Sequence, residues 1–434
     1  MLIFIKNVPR AYAWGSHDAL PALLGTAPNG GPQAELWLGA HPDDPATVAK
    51  ATPAECSLLD LIESDPERYG VDGGQLPFLL KVLAIGGPLS LQVHPDKDQA
   101  AVGYAAEEAA GVPREARERN YGDANHKPEL LVALGEVTAL SGFRPIEAVR
   151  RDLRAIAAAT AAGPGREALE WAAGLHPDDA EAARRELMAW ALGGGDAVAP
   201  ALTSIQRVAV DPASSVEWID PSRLASLRVL AEAYPEDPGI FVSLLLHLVH
   251  LDPGEAIYLG ARQLHAYMGG IAVEVMAASD NVLRAGLTEK HVDVPELSRI
   301  VDLTELAEPR LAARTVAPGL VAWEPSVPDF RLLRARLRDP DESETGEGPL
   351  LARDDGRAEQ VLVDAPYPLV LIVTSGRVRV ERRDADFDEV ASVGRGQSLY
   401  VSAGGAIELS GCGEAYLATV GDTWSGVSQG STIT

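Results

Sequence analysis

The sequence predicts a mainly β protein of two β units, with an all-α segment inserted into the first. Three observations carry that expectation. Short apolar runs cut by turn residues fill the first 145 positions, and the same texture resumes after residue 235. Between Pro145 and Tyr234 strand signals vanish, and Ala, Arg, Glu and Leu recur at helical spacing, punctuated by GPG, HPDD, LGGGD and DPAS. From about Leu320 a second series of short strands and glycine turns begins. The expected division is therefore a discontinuous first β domain (1–145 and 236–319), a helical insertion (146–235) and a C-terminal β domain (320–434).

Each element has its own local reason. MLIFI, AYAWGS and AELWLGAHPDDPATV read as strands and turns, with Trp14 and Trp37 as anchors, and Cys56 to Glu63 reads as a short helix. Leu76 to His94 reads as two buried strands joined by Gly86-Gly87-Pro88 and ending in Gln92-Val93-His94. Side chains alternate along a strand, so Gln92 and His94 share a face. Asp98 to Arg119 reads as a charged helix leading into Asn125-His126-Lys127-Pro128-Glu129 and the apolar LLVAL. Lys127 and Glu129 again share a face, and Pro128 stands at a strand start, where its missing donor is tolerated. Roughly five Ala-rich helices follow, expected to pack on each other and cover the β domain, with strands resuming at Phe241.

Asp252-Pro253-Gly254 turns into the short strand Ile257 to Leu259, and His265-Ala266-Tyr267 opens the next. Ile271 to Met276 is β-branched and apolar except for Glu274. A buried unpaired carboxylate is costly, so Glu274 faces either solvent or a polar cavity containing a cation or donors. Beyond Leu297, SRIVDLTELAEP reads as a helical linker, Asp341 to Gly348 as a solvated loop, and LVLIVTSGRVRVERR as strand, Ser-Gly turn, strand. The segment GRGQSLYVSAGGAIELSG repeats the shape of DPGEAIYLGARQLHAYMGG without its histidine or glutamate, so a site built on that shape belongs to the first copy.

Composition bounds the partners. A net charge of −26 over 434 residues argues against a nucleic-acid or anionic-membrane surface. The apolar run in MLIFIKNVPR is too short for a signal peptide and no spanning segment is evident, so the cytoplasm is the expected location. Cys56 and Cys412, far apart, make neither a disulfide scaffold nor a thiolate zinc site. Any metal must use His, carboxylate or amide ligands. The chain has only six lysines, and Lys81, Lys97, Lys127 and Lys290 fall inside the motif stretches, which suggests sites wanting a compact ammonium.

Four potential ligands stand at strand ends: Gln92, His94, Glu129 and His265. Two nitrogens and two oxygens suit zinc in an open, catalytic-type site, with manganese or iron left open by ligand type. His17, His41, His176 and His247 are expected at the surface or in ordinary packing, and His126 and His291 behind the ligands.

The succession LSLQVHPDK, NHKPEL, LHAYMGG and SDNVLRAGLTEKHVD, together with YAWGS, AELWLGAHP and PGEAIYL, resembles the type I mannose-6-phosphate isomerase (phosphomannose isomerase) family. The resemblance covers most of the chain outside the helical insertion and the C-terminal unit. It implies a cupin (jelly-roll) metal domain, an inserted helical domain, a second cupin-like domain, one zinc per chain, and reversible conversion of mannose 6-phosphate into fructose 6-phosphate. Carried over motif by motif, the zinc ligands are Gln92 and His94 of LQVH, Glu129 of KPEL and His265 of LHAY. By the same matching, Arg284 of NVLRAG lies over the substrate and Lys127 of HKPE beside the metal.

That chemistry needs a polarised carbonyl, a proton carrier and protection of an enediol. Lys127, Glu274 and a metal-bound water are the candidate carriers, and Arg284, always charged, suits steadying an enediolate. Ser90, Lys81 and Lys290 are the candidates for holding the phosphate. Against a non-catalytic sugar-phosphate-binding cupin stands the joint presence of Lys127, Arg284 and Lys290. Against a cupin oxygenase stands Gln92, a poor ligand for its iron. The expected partner is a small sugar phosphate, and the expected state a monomer or weak homo-oligomer.

Overall fold

Strand alternation organises the first β unit around one 13-residue strand, His265–Ala277. In the computed structural model, which describes residues 1–49, 56–69, 75–211, 219–338, 356–383 and 388–421, this strand pairs antiparallel with Phe78–Ile85 on one side and Glu129–Ala133 on the other. Val273 and Val275 point to the same side as Leu80, Val82, Leu130 and Val132, into a shared apolar core. Every second residue must then point the other way. Lys81, Glu129 and Glu274 are thereby turned together into the interior of the unit, where all three are buried.

The central strand changes partners along its length. Its register shifts between Tyr267 and Gly269, and its first residues pair with Val137–Phe143 and with Gln92. Gly270 makes the bend possible: its φ is +120°, and a Cβ there would lie 2.3 Å from the Glu136 carbonyl oxygen. One strand thus runs through both walls of the cup and carries His265 on one and Glu274 on the other.

A second, ten-stranded antiparallel sheet is built around Leu369–Arg383 and Ile407–Thr419. The N-terminal strand Leu2–Lys6 pairs with Ser398–Val401 and with Thr47–Val48, so the start of the chain joins the C-terminal sheet. The apolar run MLIFI specifies a strand and says nothing of its neighbour. Trp323, Phe330, Val370, Ile372 and Tyr416 of this sheet pack against Val82, Val132 and Val273 of the first, so the two units share one core.

The helices Ile146–Ala159, Pro164–Gly174, Ala180–Gly193, Ala199–Val210 and Pro221–Ala233 stand between the strands Val137–Phe143 and Leu246–Leu251. Their Leu and Ala faces form one core with Leu91, Val93, Phe143, Leu264 and Leu283. Charges pair across the junction, buried Arg144 with buried Asp152 at 2.6 Å and buried Arg184 with exposed Glu305 at 3.1 Å.

Several local expectations change. The helix expected to reach Arg119 stops at Ala110, because Gly111 caps it and Pro113 follows. The stretch after Tyr234 makes a helical turn, Gly239–Ser243, before its strand begins at Leu246. LVLIVTSGRVRVERR is one continuous strand, not a hairpin; its register merely shifts between Val373 and Ser375. Asp341 to Gly348 lies outside the described residues. Among the described residues no helix is long and apolar enough to cross a membrane.

Candidate active site

Glu129 opens the strand Glu129–Ala133 and sits, buried, between two imidazoles. One carboxylate oxygen, Oε1, is 3.3 Å from His94 Nε2, and Oε2 is 3.4 Å from His265 Nε2. Each histidine uses its other nitrogen on a backbone carbonyl: His94 Nδ1 lies 2.7 Å from Asn281 O and His265 Nδ1 3.0 Å from Gln263 O. A carbonyl only accepts, so both Nδ1 atoms carry the proton. Burial, with Lys127 adding to it, lowers His94 to about 4, which keeps that ring neutral at physiological pH. His94 Nε2 is therefore a lone pair, buried without a hydrogen-bond partner and facing a carboxylate. A buried imidazole lone pair facing an anion is unfavourable unless a cation lies between them, and His265 Nε2 faces the same carboxylate. The three donor atoms fall within 4.8 Å of one another, the spacing of a metal's coordination shell.

Gln92 completes the row. In the sheet it lies directly opposite His265 on one side and Arg284 on the other. Opposed residues share a face, so the order His265, Gln92, Arg284 places Arg284 two strands, roughly 10 Å, from the second imidazole. Gln92, Lys127, Glu129, His265, Tyr267, Lys81 and Glu274 line a cavity of about 60 Å³.

The cavity is a chain of compensated charges. Lys127 Nζ is 2.9 Å from Glu129 Oε1. Burial works against the Glu129 charge, yet Lys127 and His94 outweigh it and hold the carboxyl well below its usual range. Tyr267 donates its hydroxyl to Glu274 at 3.0 Å and reaches Glu129 at 3.5 Å. Burial and the charge of Glu129 push Glu274 up to about 7. Lys81 stands 3.7 Å from Glu274 and 3.8 Å from Glu35, its ammonium over the Trp37 ring. Desolvation disfavours the Lys81 charge, but Glu35 and Glu274 outweigh it and keep it protonated.

A groove of about 660 Å³ includes Arg284 and Lys290 in its lining, with Asp280 and Asp43. The structure brings Arg284 and Lys290 together there and places Lys81 in the inner cavity instead. Ser90 lies between Leu89, which lines the cavity, and Leu91, whose backbone pairs with Ala285 and Gly286 beside Arg284. Burial lowers Arg284, and burial together with the charge of Arg284 lowers Lys290.

The histidines divide differently from the sequence expectation. His41 is buried and not in ordinary packing: its Nε2 is 3.4 Å from Asp280 Oδ1, and it forms a second His-Asp-Asp group with Asp43 and Asp280. The signal was present, since Ala40-His41-Pro42-Asp43 repeats the strand-end pattern of Val93-His94-Pro95-Asp96. His126 turns away from the cavity to Asp329 at 2.9 Å, and His291 is exposed. Tyr267, Glu35 and Asn281 carry contacts in this site that no spacing revealed.

A family model for the catalytic domain of type I phosphomannose isomerase matches residues 2–146. The mannose-6-phosphate isomerase of Escherichia coli (strain K12) is 43% identical over 320 residues, covering 72% of this chain and 78% of that protein. This chain belongs to the type I phosphomannose isomerase family. Among its relatives, the mannose-6-phosphate isomerase of Schizosaccharomyces pombe is 30% identical over 94% of this chain and 97% of its own length. A crystal structure of the mannose 6-phosphate isomerase of Salmonella typhimurium bound to its substrate, fructose 6-phosphate, and zinc superposes with a TM-score of 0.81 at 32% identity, covering 97% of this chain and 99% of that one. The likeness extends over both β units and the helices between them, so it takes in the shared core as well as the site.

Proposed function

We propose that this protein interconverts D-mannose 6-phosphate and D-fructose 6-phosphate, with one zinc held by Gln92, His94, Glu129 and His265. The observation that carries this reading is the pair of imidazoles whose Nε2 atoms converge on buried Glu129, next to a groove lined by Arg284 and Lys290. Zinc bound there supplies a Lewis acid that polarises the substrate carbonyl. Lys127, 2.9 Å from Glu129, holds a proton beside the reacting carbons. Glu274, near 7, can release or take up a proton close to working pH, and the Tyr267 hydroxyl fixes its position. Arg284 steadies the negative charge of the enediolate, and Lys290, with Ser90, holds the phosphate. Lys81 we assign to keeping Glu274 and Glu35 in a charged cavity rather than to the phosphate. We place the enzyme in the cytoplasm, acting on a small sugar phosphate as a monomer or weak homo-oligomer, with no nucleic-acid or membrane partner.

A coupled assay with zinc-loaded protein and a panel of sugar phosphates tests this. Turnover of mannose 6-phosphate, with the carbon-2 proton exchanging with solvent deuterium, is the expected result. Stoichiometric sugar-phosphate binding without turnover would make the protein a binder and not an isomerase.

A further inference from the structure

The groove beside the metal cavity holds more positive charge than Arg284 and Lys290 supply. Arg10, Arg114, Arg117 and Arg119 line it as well. Against these six cations stand three carboxylates, Asp43, Glu115 and Asp280, so the groove is locally positive in a chain of net charge −26, which suits it to an anion.

These arginines are not equivalent. Arg10 is committed to Asp44 at 2.8 Å. Arg119 is structural: it donates to the carbonyls of Val112 and Tyr121, at 2.6 and 2.8 Å, and pairs with Glu107 at 3.5 Å and Glu108 at 2.5 Å. It thereby ties together both ends of the strap that follows the helix Lys97–Ala110. The strap is anchored further by the Glu107 carboxylate, which accepts from the backbone of Asn120 and Tyr121, and by Asn120, which donates to Asp293 at 2.9 Å. The Tyr121 ring lies against Gly103, where a Cβ would come within 2.3 Å of it, and its hydroxyl donates to Glu296. This is a built support rather than a loose loop.

Arg114 and Arg117 project from that support with weak local commitments. Arg117 donates to the backbone carbonyl of Glu289 at 2.7 Å, the residue before Lys290, which brings its guanidinium to the lip of the groove. Among the described residues Arg114 pairs only with Asp43, 3.3 Å away, and both side chains are about half exposed. An exposed single pair of that kind contributes little to folding. A carbonyl leaves a guanidinium most of its five donors, and a phosphate dianion offers three strong acceptors in matching geometry.

We propose that Arg114 and Arg117 are substrate-recognition residues that complete the phosphate site from the strap side, joining Lys290 on the phosphate dianion. The proposal rests on the isomerase reading above and adds two residues to it. Both act on binding and not on proton transfer, because they stand on the outer groove and not in the cavity with Lys127 and Glu274.

The test compares the zinc-loaded native protein with an Arg114→Ala/Arg117→Ala double variant at fixed ionic strength. An Arg166→Ala/Arg185→Ala variant serves as the charge control, since those two arginines are exposed on the helical insertion. Three quantities are read: KM and kcat for mannose 6-phosphate, and the affinity for inorganic phosphate by calorimetry. The strap variant should raise KM and weaken phosphate binding by about tenfold or more, the scale of one charge-assisted hydrogen bond, with kcat within about twofold. The control should match the native protein, and Arg117→Lys in place of Arg117→Ala should recover part of the loss. Values within about twofold of native, or an equal change in the control, overturn the proposal. A native protein that binds phosphate through these residues but turns over no sugar phosphate would instead overturn the isomerase reading. Native protein that binds no phosphate at all would sink the phosphate site itself.

Discussion

At the scale of single residues, the site is governed by the proton positions on two histidines. Because the carbonyls of Asn281 and Gln263 hold the Nδ1 protons, both Nε2 atoms are left to face Glu129, that of neutral His94 as a lone pair. Removing His265 by substitution with Ala should abolish stoichiometric zinc, measured by metal analysis, while the circular dichroism of the folded protein is kept. Full zinc content and full activity in that variant would take His265 out of the site. The neutral state of His94 also sets an acid sensitivity in metal-free protein. Its folded pKa of about 4 lies below the ordinary 6.5, so the unfolded chain binds the extra proton first. Stability from this group is present above 6.5 and is lost as pH falls toward 4, by about 3 kcal/mol. Denaturant titrations of the metal-free protein across that window should show the loss, and His94→Gln should remove it. In the proposed isomerisation Arg284 acts later. Its permanent charge counts mainly when the enediolate forms, so Arg284→Ala should keep zinc and weak substrate binding yet turn over ~100-fold more slowly. Near-native turnover with zinc in place would make that stretch purely structural.

At the scale of elements, the site depends on one strand that changes partners midway. Lys81, Glu129 and Glu274 meet because three antiparallel strands are in register, Glu274 opposite both Lys81 and Leu131. A one-residue slip would turn all of them into the apolar core. Gly270 protects that register by letting the strand bend against the Glu136 carbonyl. Gly270→Ala forces a side chain into a positive-φ position with no room for it, and should lower stability by about 3 kcal/mol. The expected readout is a lower denaturation midpoint together with weaker zinc binding, since His265 lies on one side of the bend and Met276, which pairs with Glu129, on the other. Stability loss with unchanged zinc affinity would show that the two halves of the strand are independent.

At the scale of the whole molecule, the second sheet is a wall of the first unit and not an appendage. Val82, Val132 and Val273, one residue away from Lys81, Leu131 and Glu274, pack on Trp323, Val370 and Ile372. A polar link crosses the same junction where His126, next to Lys127, meets buried Asp329. Asp329→Ala should cost about 2 kcal/mol by leaving His126 without its partner. It should also lower kcat while zinc content holds, because the strand start that carries Lys127 loses its tether. Paired measurements of melting temperature and kcat separate this from simple loosening: a lower melting temperature with native kcat would leave the second sheet without influence on the site.

What the sequence alone determined is whatever depends on neighbours along the chain. Alternation placed Lys127 with Glu129, and the punctuated helical pattern between Pro145 and Tyr234 marked five helices. The motif order carried the family. The tertiary structure decided what depends on residues far apart in the chain. Glu274 is buried and shifted because Lys81, Tyr267 and Glu129 surround it, and His41 is a buried partner of Asp280. The first strand joined the last sheet because an apolar strand is bound by whichever edge is open to it, and no local pattern names that edge. The same limit separates the lysines: Lys81 and Lys290 look alike as scarce ammonium groups in motifs, but burial between two carboxylates put one in the cavity and exposure put the other in the groove. Charge compensation acts through space over a few ångströms, and only the folded chain sets those distances.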